Sequence, residues 1–510
     1  MSKKPSILFI TTDEQHISTI SAFGATSHRT PAIDQLASIS NVCLNAYSAS
    51  PVCLPSRCVW MTGQYPHKSG SVSNTLGASL SLQYPNLFNQ LKEQGYTTSM
   101  HGKCHFIPVP YPATRRNMTL EYEHFKLYYM ALGMDHLDLQ DDKNNSLWFY
   151  DDYGKELEMA GLMKPYRYRA HEDKSKKGPF SFPGPAEMHP DSWVGQKALD
   201  YLEKCNKDDS HFMWVSFSGS HYPIDTPEEY LDAVDMDRAI PRTSKEGEWE
   251  DKTKYHHNGY YGPGTTEGSG GAKDRAQKNY DEAYWRRWRQ YYYANVVQID
   301  SYIGKIIDKA QKLWGENLMI VFSSDHGDMA GNHGLWGKNG SLYEDVVKVP
   351  LIVKYPGQND KKEIVQRVSS LEVFPTILKT AGCNIPECDG KPLDEMVAEG
   401  GRDYILSACD GRLTIIKNNI KLDWNHYNKT GDMYYELYDL NKDPHEFTNQ
   451  YNNHEYAEVK EELETILKQL EKEEYLLSTI FYTPDKTPYW VNIGEGSGLA
   501  WLKKSKASNN

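Results

Sequence analysis

Cys53-Leu54-Pro55-Ser56-Arg57, with Thr62-Gly63 shortly after, sets a thiol, a hydroxyl and a guanidinium within about one helical turn. Pro51 and Pro55 bracket the cysteine, and proline suits a helix only in its first turn. The stretch therefore reads as a helix start. A side chain there meets outward-pointing backbone N–H groups that favour negative charge. Arg57 returns to the same face one turn later. Taken alone, Cys53 reads first as a small buried hydrophobe, so its neighbours must decide.

Two further sets of residues carry chemistry. Asp13, Glu14, Asp325 and His326 offer three carboxylates and an imidazole from two separate segments. Either pair alone is an ordinary solvated acid pair or helix cap. Together they suit a hard divalent cation such as Ca²⁺ or Mg²⁺ (Mn²⁺ is a further candidate) better than structural zinc. No cysteine pairs occur at zinc-finger spacing. The second set is cationic: Arg57, Lys103, His105, His221 and Lys338. Singly these read as surface charges or structural histidines. Around one cation they form an anion cradle, in which arginine offers a planar fork and lysine a point charge. Cleavage of a sulfate or phosphate ester needs such charge on the non-bridging oxygens, plus a nucleophile and a leaving-group acid.

Four short apolar runs must position these groups. Ile7–Ile10 leads to Asp13-Glu14, and Tyr96–Met100 to His101-Gly102-Lys103-Cys104-His105. Phe212–Phe217 leads to Ser220-His221, and Leu318–Phe322 to Asp325-His326-Gly327-Asp328. Helical patterns such as Ile33–Ile39 and Leu87–Gln94 intervene, which predicts an α/β fold with a large, mostly parallel sheet flanked by helices. Ligands bind beyond the carboxyl ends of such strands, so the four polar clusters are expected to converge. A long helix is predicted through Val296, Ile299, Ile303, Ile306, Ile307 and Ala310.

Residues 1–400 are read as one catalytic domain. An elaborated surface insertion is expected near 118–190 and a glycine-rich flexible loop near 247–278. Over 401–474 the pattern changes to short strands at Leu413–Ile416, Ile420–Trp424 and Tyr434–Tyr438. A helix follows from about Glu455 to Glu474 with Val459, Leu463, Ile466, Leu467 and Leu470 on one stripe. This predicts a smaller C-terminal α+β subdomain. Residues 475–510 read as a tail that wraps the body or a partner subunit, consistent with a homo-oligomer.

The 510-residue chain carries 56 basic and 69 acidic residues, a net charge of -13 that disfavours a general nucleic-acid binder. No apolar run spans a bilayer. The opening residues resemble no signal peptide, which predicts a cytoplasmic protein, or a periplasmic or secreted one if a leader has been removed. Eight scattered cysteines do not form a disulfide framework, and Cys383 and Cys388 stand close in sequence. Thirty-six tyrosines and 12 tryptophans suit flat polar substrates such as sugars.

The run Cys53-Leu54-Pro55-Ser56-Arg57-Cys58-Val59-Trp60-Met61-Thr62-Gly63 resembles the type I sulfatase signature C-x-P-S-R-x-x-x-L-T-G, with Met61 at the usual leucine. Asp13, Gly102-Lys103-Cys104-His105, Ser220-His221-Tyr222-Pro223, Ser324–Asp328 and Gly337-Lys338 follow in that family's order. Tyr435-Glu436-Leu437-Tyr438-Asp439-Leu440-Asn441-Lys442-Asp443-Pro444 is similar to its closing segment. The resemblance implies an alkaline-phosphatase-like fold and oxidation of Cys53 to formylglycine by a formylglycine-generating or anaerobic sulfatase-maturating enzyme. It implies that the aldehyde hydrate attacks sulfur and then expels sulfate. By the same resemblance Asp13, Glu14, Asp325, His326 and the modified Cys53 hold Ca²⁺. Arg57 and His105 support the formylglycine, with His105 as base for the elimination. Lys103, His221 and Lys338 contact the sulfate, with His221 or Lys338 as acid toward the departing oxygen. Glu14 stands where the family often has aspartate.

The expected activity is hydrolysis of a sulfated carbohydrate or small sulfate ester. The alternative is a phosphonate monoester or phosphodiester hydrolase on the same scaffold. A binding protein on a dead scaffold is disfavoured because every expected polar position is filled. Specificity is expected from the insertions and tail, with His256, His257, Arg286, Arg287 and Trp148 as candidates.

Overall fold

Ser6–Asp13 (β1) is buried along its whole length, as a strand covered on both faces of a sheet must be. Its side chains alternate between two cores, because successive residues of a strand point to opposite faces. Ile7 and Phe9 join one apolar cluster, with Trp60, Phe212 and Trp214. Leu8 and Ile10 join the other, with Met213, Ile303 and Ile320. The computed structural model describes residues 3–72, 74, 80–107, 122–149, 151–172, 178–250, 252, 280–338, 341–409, 412–427 and 432–474.

The sheet continues through Asn41–Tyr47 (β2), Thr97–Gly102 (β3), His136–Leu139 (β4), His211–Ser220 (β5), Leu318–Ser324 (β6), Leu351–Lys354 (β7) and Lys362–Ser369 (β8). Its order is β4-β3-β5-β1-β6-β7-β2-β8. Five neighbouring strands, β4 to β6 in that order, run parallel. Only β7 runs antiparallel to its neighbours. All five parallel strands thus end at one edge, where the predicted polar clusters lie. The predicted long helix spans Glu282–Trp314 and packs Ile299, Ile303 and Ile306 into the second core.

The helices Pro31–Ala37 (α1) and Cys53–Thr62 (α2) precede and follow β2, and α2 buries all its residues. It ends at Gly63, whose φ of 66° lies in the left-handed region. A Cβ there would come within 2.8 Å of Phe374 and 3.0 Å of Cys388, so the signature glycine is demanded twice over.

One sequence expectation changes. The 118–190 segment is no surface decoration, for it supplies edge strand β4 and the helices Tyr122–Ala131, Lys143–Phe149 and Asp152–Met159, with Tyr128, Tyr129, Leu147 and Tyr153 fully buried. Its strand is only four residues long with histidine and aspartate facing one way, too short for periodicity to reveal. Cys383 and Cys388, close in sequence, are both free. Of the 247–278 loop only 247–250 and 252 are described, and the 475–510 tail lies outside the described residues.

The C-terminal strands Ile405–Cys409 (β9), Arg412–Lys417 (β10), Ile420–Tyr427 (β11) and Asp432–Asp439 (β12) form a separate antiparallel sheet in the order β12-β11-β10-β9. The helix Ala457–Glu474 lays Leu463 and Leu467 on it. The same cluster contains Ala49, Val59 and Leu371, so the small sheet packs directly behind α2.

Candidate active site

Cys53 opens α2, and its sulfur lies 3.2 Å from His326 Nε2 just beyond β6. Asp13, at the end of β1, and Asp325 complete a fully buried group. One ligand atom from each of Asp13, Cys53, Asp325 and His326 lies within 4.8 Å of the others. Asp325 Oδ1 accepts from the backbone N–H groups of Glu14 (3.0 Å) and His326 (2.9 Å), while Oδ2 accepts from Arg57 Nε at 3.1 Å. Asp13 Oδ1 is buried without a hydrogen bond. An unsatisfied buried carboxylate oxygen is costly, and a divalent cation is the partner this oxygen-rich set fits.

Arg57 is fully buried and acts as a strut. Its Nη1 donates to the Lys103 carbonyl at 2.9 Å and to Ser216 Oγ at 2.7 Å. Lys103 leaves β3 and donates to Asp13 Oδ2, and to Asp142 Oδ2 at 2.7 Å. His221, beyond β5, places Nε2 3.2 Å from Glu14 Oε2 and 3.4 Å from Lys338 Nζ. The Lys338 backbone N–H donates to Glu14 Oε1 at 2.8 Å. Glu14 thus directs its carboxylate to Lys338 and His221 and is not a member of the four-residue group.

The charges act on one another strongly. Burial opposes ionisation of the Cys53 thiol, yet Lys103, Lys338 and His326 overcome it and hold the group well below the usual thiol range. Burial lowers His221, but Glu14, Asp13 and Asp142 outweigh it and push the imidazole up to about 10. Burial likewise penalises the Lys338 ammonium, and Cys53, Glu14 and Asp13 raise it regardless. Desolvation and the Asp13 charge raise Asp325, against His326 and Arg57. The result is a buried cationic rim around a site for negative charge.

Residues that spacing did not reveal hold this rim. Asp141 Oδ1 accepts from the backbone N–H groups of Cys104 (3.0 Å) and His105 (2.6 Å). Asp142 anchors Lys103. Asn74 Oδ1 accepts from the Leu54 N–H at 2.9 Å, beside the start of α2. The available signal was the acidic pair Asp141-Asp142 shortly after β4, similar to Asp13-Glu14 at the end of β1. Glu14, His105 and Asp142 have φ of 58°, 50° and 108°. Each such left-handed residue costs on the order of 1–3 kcal/mol and is characteristic of functional sites.

All ten sequence-predicted site residues therefore lie in this one region. The specificity candidates do not join it in the same way. Arg286 pairs with Asp237 at 2.6 Å, Arg287 donates to the Pro179 carbonyl, and Trp148 packs under Arg167. His256 and His257 lie outside the described residues.

A buried acid–imidazole group and a cationic rim thus meet at the carboxyl ends of a mostly parallel α/β sheet, an arrangement suited to binding an anionic ester. A family model described as Sulfatase matches residues 5–383, so the chain belongs to the sulfatase family and is a sulfuric ester hydrolase. An arylsulfatase of Clostridium perfringens is 27% identical over 499 residues, covering 92% of this chain and 95% of the relative. An N-acetylglucosamine-6-O-sulfatase of Bacteroides thetaiotaomicron is 25% identical, covering 92% and 87%. Among solved structures, a phosphonate monoester hydrolase of Agrobacterium radiobacter superposes with a TM-score of 0.73 at 20% identity, over 95% of this chain and 99% of that one. No helix among the described residues is long and apolar enough to cross a membrane.

Proposed function

We propose that this sulfatase hydrolyses a sulfate ester of a saccharide, using formylglycine made from Cys53 and a divalent cation, Ca²⁺ first among candidates. The observation that supports it best is the Cys53 sulfur itself. It stands in one buried group with Asp13, Asp325 and His326 and is drawn toward its anionic form by Lys103 and Lys338. Asp13, Asp325, His326 and position 53 hold the cation, with Glu14 alongside. When bound, the cation supplies positive charge for the nucleophile and the sulfate oxygens.

The chain's own residues do the rest. Arg57, pinned to Asp325 and the Lys103 carbonyl, holds the start of α2 against the strand ends. Lys103 and Lys338 neutralise the non-bridging oxygens, where charge develops. Glu14, Asp13 and Asp142 hold His221 protonated against the Lys338 charge, so it can give a proton to the departing ester oxygen. His105, whose backbone N–H is clamped by Asp141, takes a proton from position 53. The saccharide class is supported by the N-acetylglucosamine-6-O-sulfatase relative and by the aromatic content of the chain. A maturating enzyme is the partner this chemistry requires.

Paired aryl sulfate and aryl phosphonate substrates, followed by a panel of sulfated saccharides, test this reading. Preference for the sulfate is expected, and a strong preference for the phosphonate overturns it in favour of the phosphonate hydrolase alternative. Peptide mass spectrometry on protein from its native host should find the thiol of position 53 replaced by an aldehyde. An unmodified thiol speaks against the mechanism.

A further inference from the structure

A second group of metal-ligating side chains stands on the β3–β4 edge of the sheet. In the parallel pairing of these strands, His101 lies opposite Asp138 and Ser99 opposite His136. Residues two apart on a strand share a face, so His136, Asp138 and His101 all project from the same side. His101 Nδ1 and His136 Nε2 each lie 2.8 Å from the same oxygen, Asp138 Oδ2. All three ligand atoms fall within 4.8 Å of one another.

The surroundings favour a cation over a simple hydrogen-bonded triad. The His101 side chain is fully buried, whereas Asp138 is 22% and His136 43% exposed, so the group is backed by protein and open to water on one side. The Tyr201 ring, on the helix Pro190–Lys204, packs against both imidazoles with centroids 4.9 Å away. It holds the rings without competing for their nitrogens. His101 Nε2 is buried without a hydrogen bond, which leaves Nδ1 as the nitrogen that does the ring's polar work. A half-exposed imidazole such as His136 gains little from a carboxylate hydrogen bond that water could replace.

We infer that His101, His136 and Asp138 form a binding site for a borderline divalent cation of the zinc type, separate from the catalytic centre. Two imidazoles and one carboxylate, with a side open to water, are the donor set such a cation takes. Ligand atoms around tetrahedral zinc stand about 3.3 Å apart, so the present 2.8 Å contacts need open only slightly. The half-exposed His136 can supply that movement. The cation clamps edge strand β4 to β3. That matters because β4 leads directly to Asp141 and Asp142, which fix the Cys104 and His105 backbone and the Lys103 ammonium. The site does not depend on which ester the enzyme cleaves.

The test is equilibrium dialysis of the whole protein against zinc chloride in excess calcium, followed by elemental analysis. The wild type should retain one zinc equivalent more than His136→Gln or Asp138→Ala, whose zinc affinity falls by at least about tenfold. Zinc should raise the melting temperature of the wild type and not of the variants. An Asp13→Asn protein should keep this zinc, which separates it from cation bound at the catalytic centre. His136→Gln alters a half-exposed side chain, so it remains informative even if Asp138→Ala fails to fold. Equal zinc content in wild type and His136→Gln, or no zinc retained by the wild type, overturns the proposal.

Discussion

Cys53 is one of several buried cysteines, yet its electrostatic position is unlike the others. Burial pushes the Cys58 thiol up to about 12 against Ser71 and Arg57, while the cations around Cys53 drive that thiol the opposite way. Cys53→Ala should therefore abolish turnover and leave thermal unfolding nearly unchanged; retained activity would refute the nucleophile assignment. Lys338→Ala should lower kcat by about 10²–10³-fold through lost charge on the transition state, and an unchanged rate removes Lys338 from the site. Asp142 acts one step back, through Lys103. Asp142→Asn should cost about 10–100-fold in kcat with a smaller change in KM, measured by steady-state kinetics on a sulfate ester. A change confined to KM would place Asp142 in substrate binding instead. Of these residues, Cys53 and Lys338 were legible from motif and order. Asp142 was not, because it is recognisable only by the lysine it faces across the fold.

At the scale of elements, α2 joins chemistry to stability. Its N-terminus presents Cys53 to the site, and its buried face contributes Trp60 and Met61 to one core and Val59 to another. Its C-terminal Gly63 is strained for any other residue, by φ and by the closeness of Phe374. Gly63→Ala should destabilise the protein by about 1–3 kcal/mol, read as a lower urea midpoint at unchanged slope; an unchanged midpoint would show that the turn relaxes freely. The strands that deliver the site were legible because β1, β5 and β6 are continuous apolar runs. Edge strand β4 escaped because its short, polar sequence takes its strand conformation from pairing with β3, a tertiary partner.

The whole molecule is tied together by buried charge between the small sheet and the main body. Lys421 of β11 bonds both Glu446 and the Leu342 carbonyl, and the Glu344 N–H donates to Glu446 at 2.7 Å. This seam follows closely on Lys338. Asp423 lies buried beside it; desolvation raises its pKa, Lys421 opposes, and Glu446 and Glu436 add to the rise, up to about 8. An acid whose folded pKa exceeds its unfolded value binds more protons when folded, so its contribution to stability falls as pH rises between those values. The window runs from 3.8 to about 8. Asp423→Asn removes this loss, so urea unfolding should show the variant gaining on the wild type from pH 5 to pH 8. Parallel pH dependences would contradict the assignment.

The sequence by itself determined the family and singled out ten residues that the fold gathers in one region, Cys53 among them as the proposed nucleophile, because a short motif and the ends of apolar runs are local features. It also indicated three of the four antiparallel C-terminal strands and their covering helix, while β9 came only with the fold. Tertiary structure alone decided that Glu14 turns to Lys338 and His221, that Asp141 and Asp142 brace the site, and that β4 completes the sheet. Those outcomes depend on which distant groups meet in a low-dielectric interior, where an unpaired charge is costly and each one must find its partner.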